Sequence, residues 1–257
     1  MLKKYFFFDI DGTLTDINTG IAIPSAIETI KKLQENGHFV AICTGRACFF
    51  AKDVMEELNI KNMVCYCGGG LVVDGVLIKN IPLPIEDVRK IVNECEANNI
   101  GYMAQLDDSP QCFSKNNLID IQANVEKKKA ILNVDKNFDI DKVDEVYKVY
   151  ISVLPKDEYK IPSLKKLGPL RLKPDYLIVQ YDKKHEGIID MMEYLNADIK
   201  DVVTFGDDTN DIAMCDPRWI SIAMGNGKDE LKQKATYVTD SNINDGIKKA
   251  CEHFGWI

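Results

Sequence analysis

Two aspartates separated by one residue, in Asp9-Ile10-Asp11-Gly12-Thr13, close a near-continuous apolar run from Lys4 to Ile10. Side chains alternate along a strand, so carboxylates two apart at a strand end are expected to point the same way. Gly12 lets the backbone turn away sharply. Taken alone, an Asp-x-Asp also fits a solvated acidic turn, or the metal–nucleotide site of a glycosyltransferase. Gly206-Asp207-Asp208-Thr209-Asn210-Asp211 follows a second apolar run, Val202–Phe205. Acids this close repel one another if buried, and a hard divalent cation with oxygen ligands, Mg²⁺ above all, relieves that repulsion. The plainer alternative is an Asp-rich capping turn.

Two further groups carry weaker signals. Thr44-Gly45-Arg46 ends the apolar run Phe39–Cys43. A hydroxyl and N–H groups at a helix start suit phosphate oxygens, and equally an N-cap. Lys184 precedes a helical segment, where it could screen charge between carboxylates and a phosphoryl group, or simply face solvent. Joint occurrence is the stronger argument. All four sit at strand ends or helix starts, and ligands in open α/β sheets bind beyond the carboxyl ends of strands.

The elements that must position these residues are legible in the hydrophobic pattern. Apolar runs at Lys4–Ile10, Phe39–Cys43 and Met63–Tyr66 read as buried parallel strands. Pro24-Ser25-x-x-Glu28 reads as a helix start with Ser25 as cap and Glu28 reaching back, and Arg46–Leu58 as a second helix. Leu71–Val73 and Val76–Ile78 flank an Asp-Gly hairpin turn. Pro82 and Pro84 mark the best boundary. A helix at Glu86–Ala97 and short strands at Gly101–Leu106, Ala130–Val134, Val146–Leu154 and Tyr176–Val179 then suggest a smaller α+β unit. The α/β pattern returns with a helix at Glu186–Leu195, Val202–Phe205 as a strand and a helix at Asp211–Cys215. Ile220–Ala223 (strand), Asp229–Ala235 (helix), Tyr237–Thr239 (strand) and a final helix to His253 follow. The expected fold is a doubly wound, mainly parallel α/β core built from residues 1–81 and 182–257, with an α+β domain, 82–181, inserted in it.

Composition narrows the partners. The 257 residues carry 40 acids against 32 Lys and Arg, a net charge of −8, so neither nucleic acid nor an anionic membrane is an expected partner. The basic stretch Glu126-Lys127-Lys128-Lys129 reads as a solvated helix end. No apolar stretch reaches membrane-spanning or signal-peptide length, which points to the cytoplasm. The eight cysteines lack zinc spacing and read as small buried hydrophobes. His38, His185 and His253 form no catalytic pattern.

The four motifs, in this order, resemble those of the haloacid dehalogenase-like superfamily, specifically its Cof-type phosphatases with a C2B-type cap inserted between the second and third motifs. Asn18–Ile23, Asn36-Gly37, Ala223-Met224-Gly225-Asn226 and Tyr237-Val238-Thr239 extend the resemblance over the whole chain. It implies that Asp9 is the nucleophile, forming an aspartyl-phosphate, and that Asp11 protonates the leaving oxygen and then activates water. It implies Mg²⁺ held by Asp9, the Asp11 carbonyl and Asp207, with Asp211 in support. Thr44, Gly45, Lys184, Asn210 and the Ile10 backbone would bind the phosphoryl group. The expected substrate is a small phosphorylated metabolite, and the expected state a monomer or weak homodimer.

The chain departs from the family pattern twice. Gly68-Gly69-Gly70 stands where Asn-Gly-Ala is usual, which is expected to loosen that connection. Asp208 replaces a smaller residue and is expected to be exposed. A phosphosugar mutase of the same fold would need two anion sites and several cap arginines, and only Arg89 and Arg171 lie in the cap region. A non-catalytic phosphometabolite-binding protein would have lost a catalytic carboxylate, and none is lost. A glycosyltransferase would need a large acceptor domain. Tyr102, Gln105, Asp107, Asp108, Gln111 and Lys115 are polar or aromatic cap residues that read mainly as ordinary surface.

Overall fold

Residues 2–126 and 129–257 are described by a computed structural model, which divides into two units, Met1–Asn80 with Lys183–Ile257, and Ile81–Asp182. The first unit opens with β1 (Tyr5–Phe8), α1 (Pro24–Glu35), β2 (Phe39–Cys43), α2 (Cys48–Glu57), β3 (Asn62–Cys65), β4 (Gly70–Val73) and β5 (Val76–Asn80). The second contains α3 (Ile85–Ala97), β6 (Tyr102–Gln105), β7 (Gln111–Ser114), α4 (Leu118–Gln122), β8 (Ile131–Val134), β9 (Lys148–Ile151), β10 (Leu170–Lys173) and β11 (Tyr176–Gln180). The chain then completes the first unit with α5 (Lys184–Tyr194), β12 (Val202–Gly206), β13 (Ile220–Ala223), α6 (Asp229–Lys234), β14 (Tyr237–Val238) and α7 (Gly246–His253).

The first unit is built on an eight-stranded sheet in the order β14-β13-β12-β1-β2-β3-β4-β5. It is parallel from β14 to β3, and β4 and β5 add an antiparallel edge. β1 pairs with β2 on one side and with the much later β12 on the other, so strand order reverses there. Both faces of β1 are covered. Phe7 packs with Val64, Ile188, Met191 and Met192, which seats α5. Phe6 meets Trp256 edge-on, and Phe8 stacks on Phe205. Two covered faces explain why Phe6, Phe7 and Phe8 run together without polar alternation.

The second unit has a six-stranded sheet, β10-β11-β9-β6-β7-β8, antiparallel except for the parallel pair β7–β8. Val88, Ile91, Val92 and Cys95 of α3 recur at helical spacing and pack on Tyr102, Ala104, Val149 and Val179. Met103, Tyr150 and Ile178 bury the opposite face with Ile119.

Three local expectations are corrected. α1 starts at Pro24 with Ile23 as its N-cap, and no side chain caps it. Proline is pre-set for the first helical position and has no N–H to satisfy, so Ser25 lies inside the helix. α2 begins at Cys48, because Ala47 is extended and the Arg46 carbonyl accepts the Tyr66 N–H. The segment after β12 is a 3₁₀ helix over Thr209–Met214 capped by Asp208. β7 (Gln-Cys-Phe-Ser) and β10 (Leu-Arg-Leu-Lys) escape the pattern because polar residues break them up and neither forms a continuous apolar run. Lys127 and Lys128 of the basic stretch lie outside the described residues, and Glu126 and Lys129 are in no helix. No helix among the described residues is long and apolar enough to cross a membrane.

Ile91 is fully buried in the second unit's core. Ile91→Ala should cost about 2–5 kcal/mol, measured by urea denaturation followed by circular dichroism. A loss below about 1 kcal/mol would show that α3 is not seated this way.

Candidate active site

Asp9 directly follows β1, and its backbone N–H donates to the Phe205 carbonyl at 2.9 Å, extending the β1–β12 ladder by one residue. Its side chain is 9% exposed. Lys184, the first residue of α5, is wholly buried and donates from Nζ to Asp9 Oδ1 at 2.7 Å and to Asp211 Oδ1 at 2.6 Å. Asp211 Oδ2 accepts the backbone N–H groups of Asp207 and Asp208 at 2.9 and 3.1 Å. Asp211 therefore fastens the turn after β12 to the lysine. Asp207 Oδ1 accepts the Thr13 hydroxyl at 2.8 Å. Gly12, at φ +91°, lies so close to the Asp207 carboxylate that any Cβ there would collide with it. The glycine is needed both for the turn and for this approach.

One carboxylate oxygen from each of Asp9, Asp207 and Asp211 lies within 4.8 Å of the other two. Burial first, then the charges of Asp211 and Asp207, hold the Asp9 carboxyl well above its ordinary range, although Lys184 pulls it down. Burial, with the Asp211 and Asp208 charges, pushes Asp207 up to about 7 despite the Thr13 hydrogen bond. Burial disfavours the Lys184 ammonium, but Asp211 and Asp9 together outweigh it and keep the lysine charged. Three carboxylates against one ammonium leave an excess of negative charge that a hard divalent cation fits. Asp211 already accepts three hydrogen bonds, so Asp9 and Asp207 are the better placed to offer it oxygens.

Asp11 takes another course. β1 ends at Phe8, and the Ile10 carbonyl accepts the N–H groups of Thr13, Leu14 and Thr15, closing a tight turn. The two aspartates therefore do not share a direction, contrary to strand alternation. Asp11 is half-exposed and clasped by Arg46, Nε to Oδ2 at 3.0 Å and a terminal nitrogen to Oδ1 at 2.5 Å. Arg46 also lies 4.9 Å from the Phe50 ring. Thr44, at the carboxyl end of β2, is buried, and its hydroxyl accepts the Arg46 N–H at 3.1 Å. Gly45 lies between them in the same turn. Asn210 precedes Asp211, but among the described residues no hydrogen bond joins its side chain to the cluster. Asp208 is exposed and caps the 3₁₀ helix through Thr209 N–H.

Sequence reading gave Arg46 and Thr13 no role beyond their motifs, and it missed the support behind the first loop. Asn226 donates to the Gly12 carbonyl at 2.8 Å and accepts the Asn242 N–H, while Asn242 donates to the Thr15 carbonyl. Asparagines joining loops far apart in sequence leave no local signal. In the second unit, Tyr102 and Gln105 are buried rather than exposed, and Tyr102 and Lys115 both donate to Glu96. None of the eight cysteines is in a disulfide, and burial pushes Cys43, Cys95 and Cys251 far up.

Residues 6–251 match the haloacid dehalogenase-like hydrolase family. The chain belongs to that family. Within it the chain is a Cof-type phosphatase. It is 30% identical over 258 positions to YkrA of Bacillus subtilis, a protein named as a phosphatase, covering 99% of each chain. A hypothetical protein from Geobacillus kaustophilus superimposes with TM-score 0.81 at 29% identity, over 99% of this chain and all of the other. A subclass IIB sugar phosphatase of the superfamily superimposes with TM-score 0.78 at 25% identity, over 99% of this chain and all of that one.

The raised Asp9 and Asp207 carboxyls bind protons in the native state that they release in the unfolded chain between pH 3.8 and about 7, so without metal their contribution to stability falls as pH rises through that window. In EDTA, the decline in Tm from about pH 5 to about pH 7.5 should be shallower in Asp207→Asn, and its Tm at the upper pH higher than the parent's. Added Mg²⁺ should raise Tm in the parent alone. Identical profiles for parent and variant would contradict this assignment of Asp207.

Proposed function

We propose that this phosphatase hydrolyses small phosphomonoesters, sugar phosphates or similar, in a Mg²⁺-dependent reaction through an aspartyl-phosphate on Asp9. The observation that carries this reading is the buried chain of ion pairs Asp9–Lys184–Asp211 beside Asp207, at the carboxyl end of β1. Lys184 occupies Asp9 Oδ1 and leaves Oδ2 for attack on phosphorus. As that bond forms, the bond from phosphorus to the leaving oxygen breaks, and Asp11 supplies the proton the leaving oxygen takes up. Asp11, now a carboxylate, then takes a proton from the water that attacks the aspartyl-phosphate, which frees Asp9 and inorganic phosphate. Asp9, the Asp11 carbonyl and Asp207 would hold Mg²⁺, with Asp211 in support; bound there, the ion neutralises carboxylate and phosphoryl charge. Thr44, Gly45, Asn210, the Ile10 backbone and Lys184 would bind the phosphoryl oxygens.

Residues 82–181 are assigned the cap role of selecting the leaving group. Against the mutase alternative, both arginines of that region are engaged within it. Arg89 is spent on Glu86 and the Val143 carbonyl, and Arg171 on Glu158 and the carbonyls of Lys173 and Pro174. Eight cysteines without a disulfide suit the reducing cytoplasm.

A phosphate-release screen over sugar phosphates, nucleotides and cofactor phosphates, with Mg²⁺ or EDTA, tests the reading. Turnover should require Mg²⁺. Asp9→Asn should lose at least roughly 10³-fold in kcat, the scale on which removal of a nucleophile acts. Asp11→Asn should lose about 10²–10⁴-fold with the fold intact. Near-parental rates in Asp9→Asn would refute the covalent route.

A further inference from the structure

Three consecutive glycines, Gly68-Gly69-Gly70, would be expected to loosen the connection after β3; the structure shows a close-packed one. Tyr66–Gly68 forms a buried 3₁₀ turn in which Tyr66 and Cys67 both hold φ at +50°, a region side chains rarely occupy. The surroundings enforce it. The Tyr66 N–H donates to the Arg46 carbonyl at 2.8 Å, and the Cys67 N–H to the Thr44 carbonyl at 3.0 Å. On its other side, the Cys67 carbonyl accepts the Lys183 N–H at 2.8 Å. One residue thus ties the loop carrying Thr44 to the start of the helix carrying Lys184.

Two glycines make this approach possible. Gly68, at φ +105°, has the Lys183 carbonyl where its Cβ would lie. Gly187 stands three residues after Lys184, on the same side of α5. A Cβ at Gly187 would fall 2.6 Å from Gly68 Cα, 2.8 Å from its carbonyl oxygen and 2.5 Å from Val64 Cγ1. Two of those atoms are backbone, which cannot swing aside as a side chain can.

We propose that the Tyr66–Gly68 turn and Gly187 form a backbone clamp that positions Lys184. The contact between Gly68 and Gly187 seats the first turn of α5 deeply enough for Nζ to reach Asp9 and Asp211 together. This rests on the phosphatase reading above, in which Lys184 serves the reacting carboxylate. Gly68, Gly187 and Cys67 are positioning residues. They touch no substrate in this scheme and act through Lys184.

Gly187→Ala and Gly68→Ala test the clamp, with Gly37→Ala as control and p-nitrophenyl phosphate as probe. Gly37 has a comparable φ of +82° but open space around it, so its alanine variant carries the strain without touching α5. The two clamp variants, folded by circular dichroism at the assay temperature, should lose about 30–100-fold in kcat, the scale of an ångström-level displacement. Their KM should change less than about threefold, and Gly37→Ala should keep kcat within about twofold while its Tm falls. A folded Gly187→Ala with kcat within about threefold of the parent overturns the proposal. Hydrogen exchange on the parent guards against variants that do not fold. The Lys183 amide should be protected as strongly as those of β3, and exchange at a loop-like rate also overturns the clamp. A parent that releases no phosphate sinks the functional reading instead, and the exchange result still decides the clamp.

Discussion

Lys184 sits without solvent contact between Asp9 and Asp211, and the organisation of the first unit turns on that arrangement. A buried ammonium is costly unless paired and hydrogen-bonded. Here both partners are carboxylates from other parts of the chain, 175 residues away for Asp9 and 27 for Asp211. The lysine opens the helix that resumes the first unit after the inserted segment. Its pairing therefore joins the first strand, the returning chain and the turn after β12 at a single point. Removing the lysine would leave two buried carboxylates facing each other without a counter-charge, which makes Lys184 the hardest of the three to replace.

That arrangement also leaves a charge imbalance. One ammonium cannot neutralise Asp9, Asp207 and Asp211, and burial raises Asp9 and Asp207 instead of letting water absorb their charge. The surrounding structure deepens the imbalance. Gly12 brings the first loop against Asp207, and Asn226 and Asn242 brace that loop from behind. A site bound only by folding stability would be expected to spread these acids apart. Holding them together suits a divalent cation, whose charge would complete the balance.

The alternating α/β elements of the first unit were legible because buried parallel strands are continuous apolar runs and surface helices show period 3.6. The strands β7 and β10 were not, because polar residues interrupt both and leave no continuous apolar run. Asp9, Asp207 and Asp211 stood out because acids beside apolar strands conflict with burial. Lys184 did not, since a lysine at a helix start looks the same whether it faces water or a carboxylate pair 175 residues away. The Gly68-Gly69-Gly70 stretch was legible as unusual but misleading in sense. Composition suggests slack, whereas the Lys183 carbonyl that leaves no room for a side chain at Gly68 is distant in sequence. Ser25 and Glu28 matched a capping pattern that Pro24 pre-empted.

The different surroundings of Asp9 and Asp11 follow from one backbone event, the end of β1 at Phe8. Had the strand continued, alternation would have sent both carboxylates into the same buried space, where a second acid would add repulsion without access to solvent protons. The turn closed on the Ile10 carbonyl instead leaves Asp9 in the dry cluster and carries Asp11 to a half-exposed position beside Arg46. In the proposed reaction those environments match the tasks. A nucleophile must stay ionised and fixed, which Lys184 and a cation provide. An acid–base group must reach first the leaving oxygen and then the attacking water, and a place inside the dry cluster would deny it both. Arg46 holds Asp11 through both oxygens, so proton delivery requires that clasp to loosen, and the incoming phosphoryl anion is a competing partner for the guanidinium. Two residues of the same type, two positions apart, thus acquire distinct chemistry through where the strand stops.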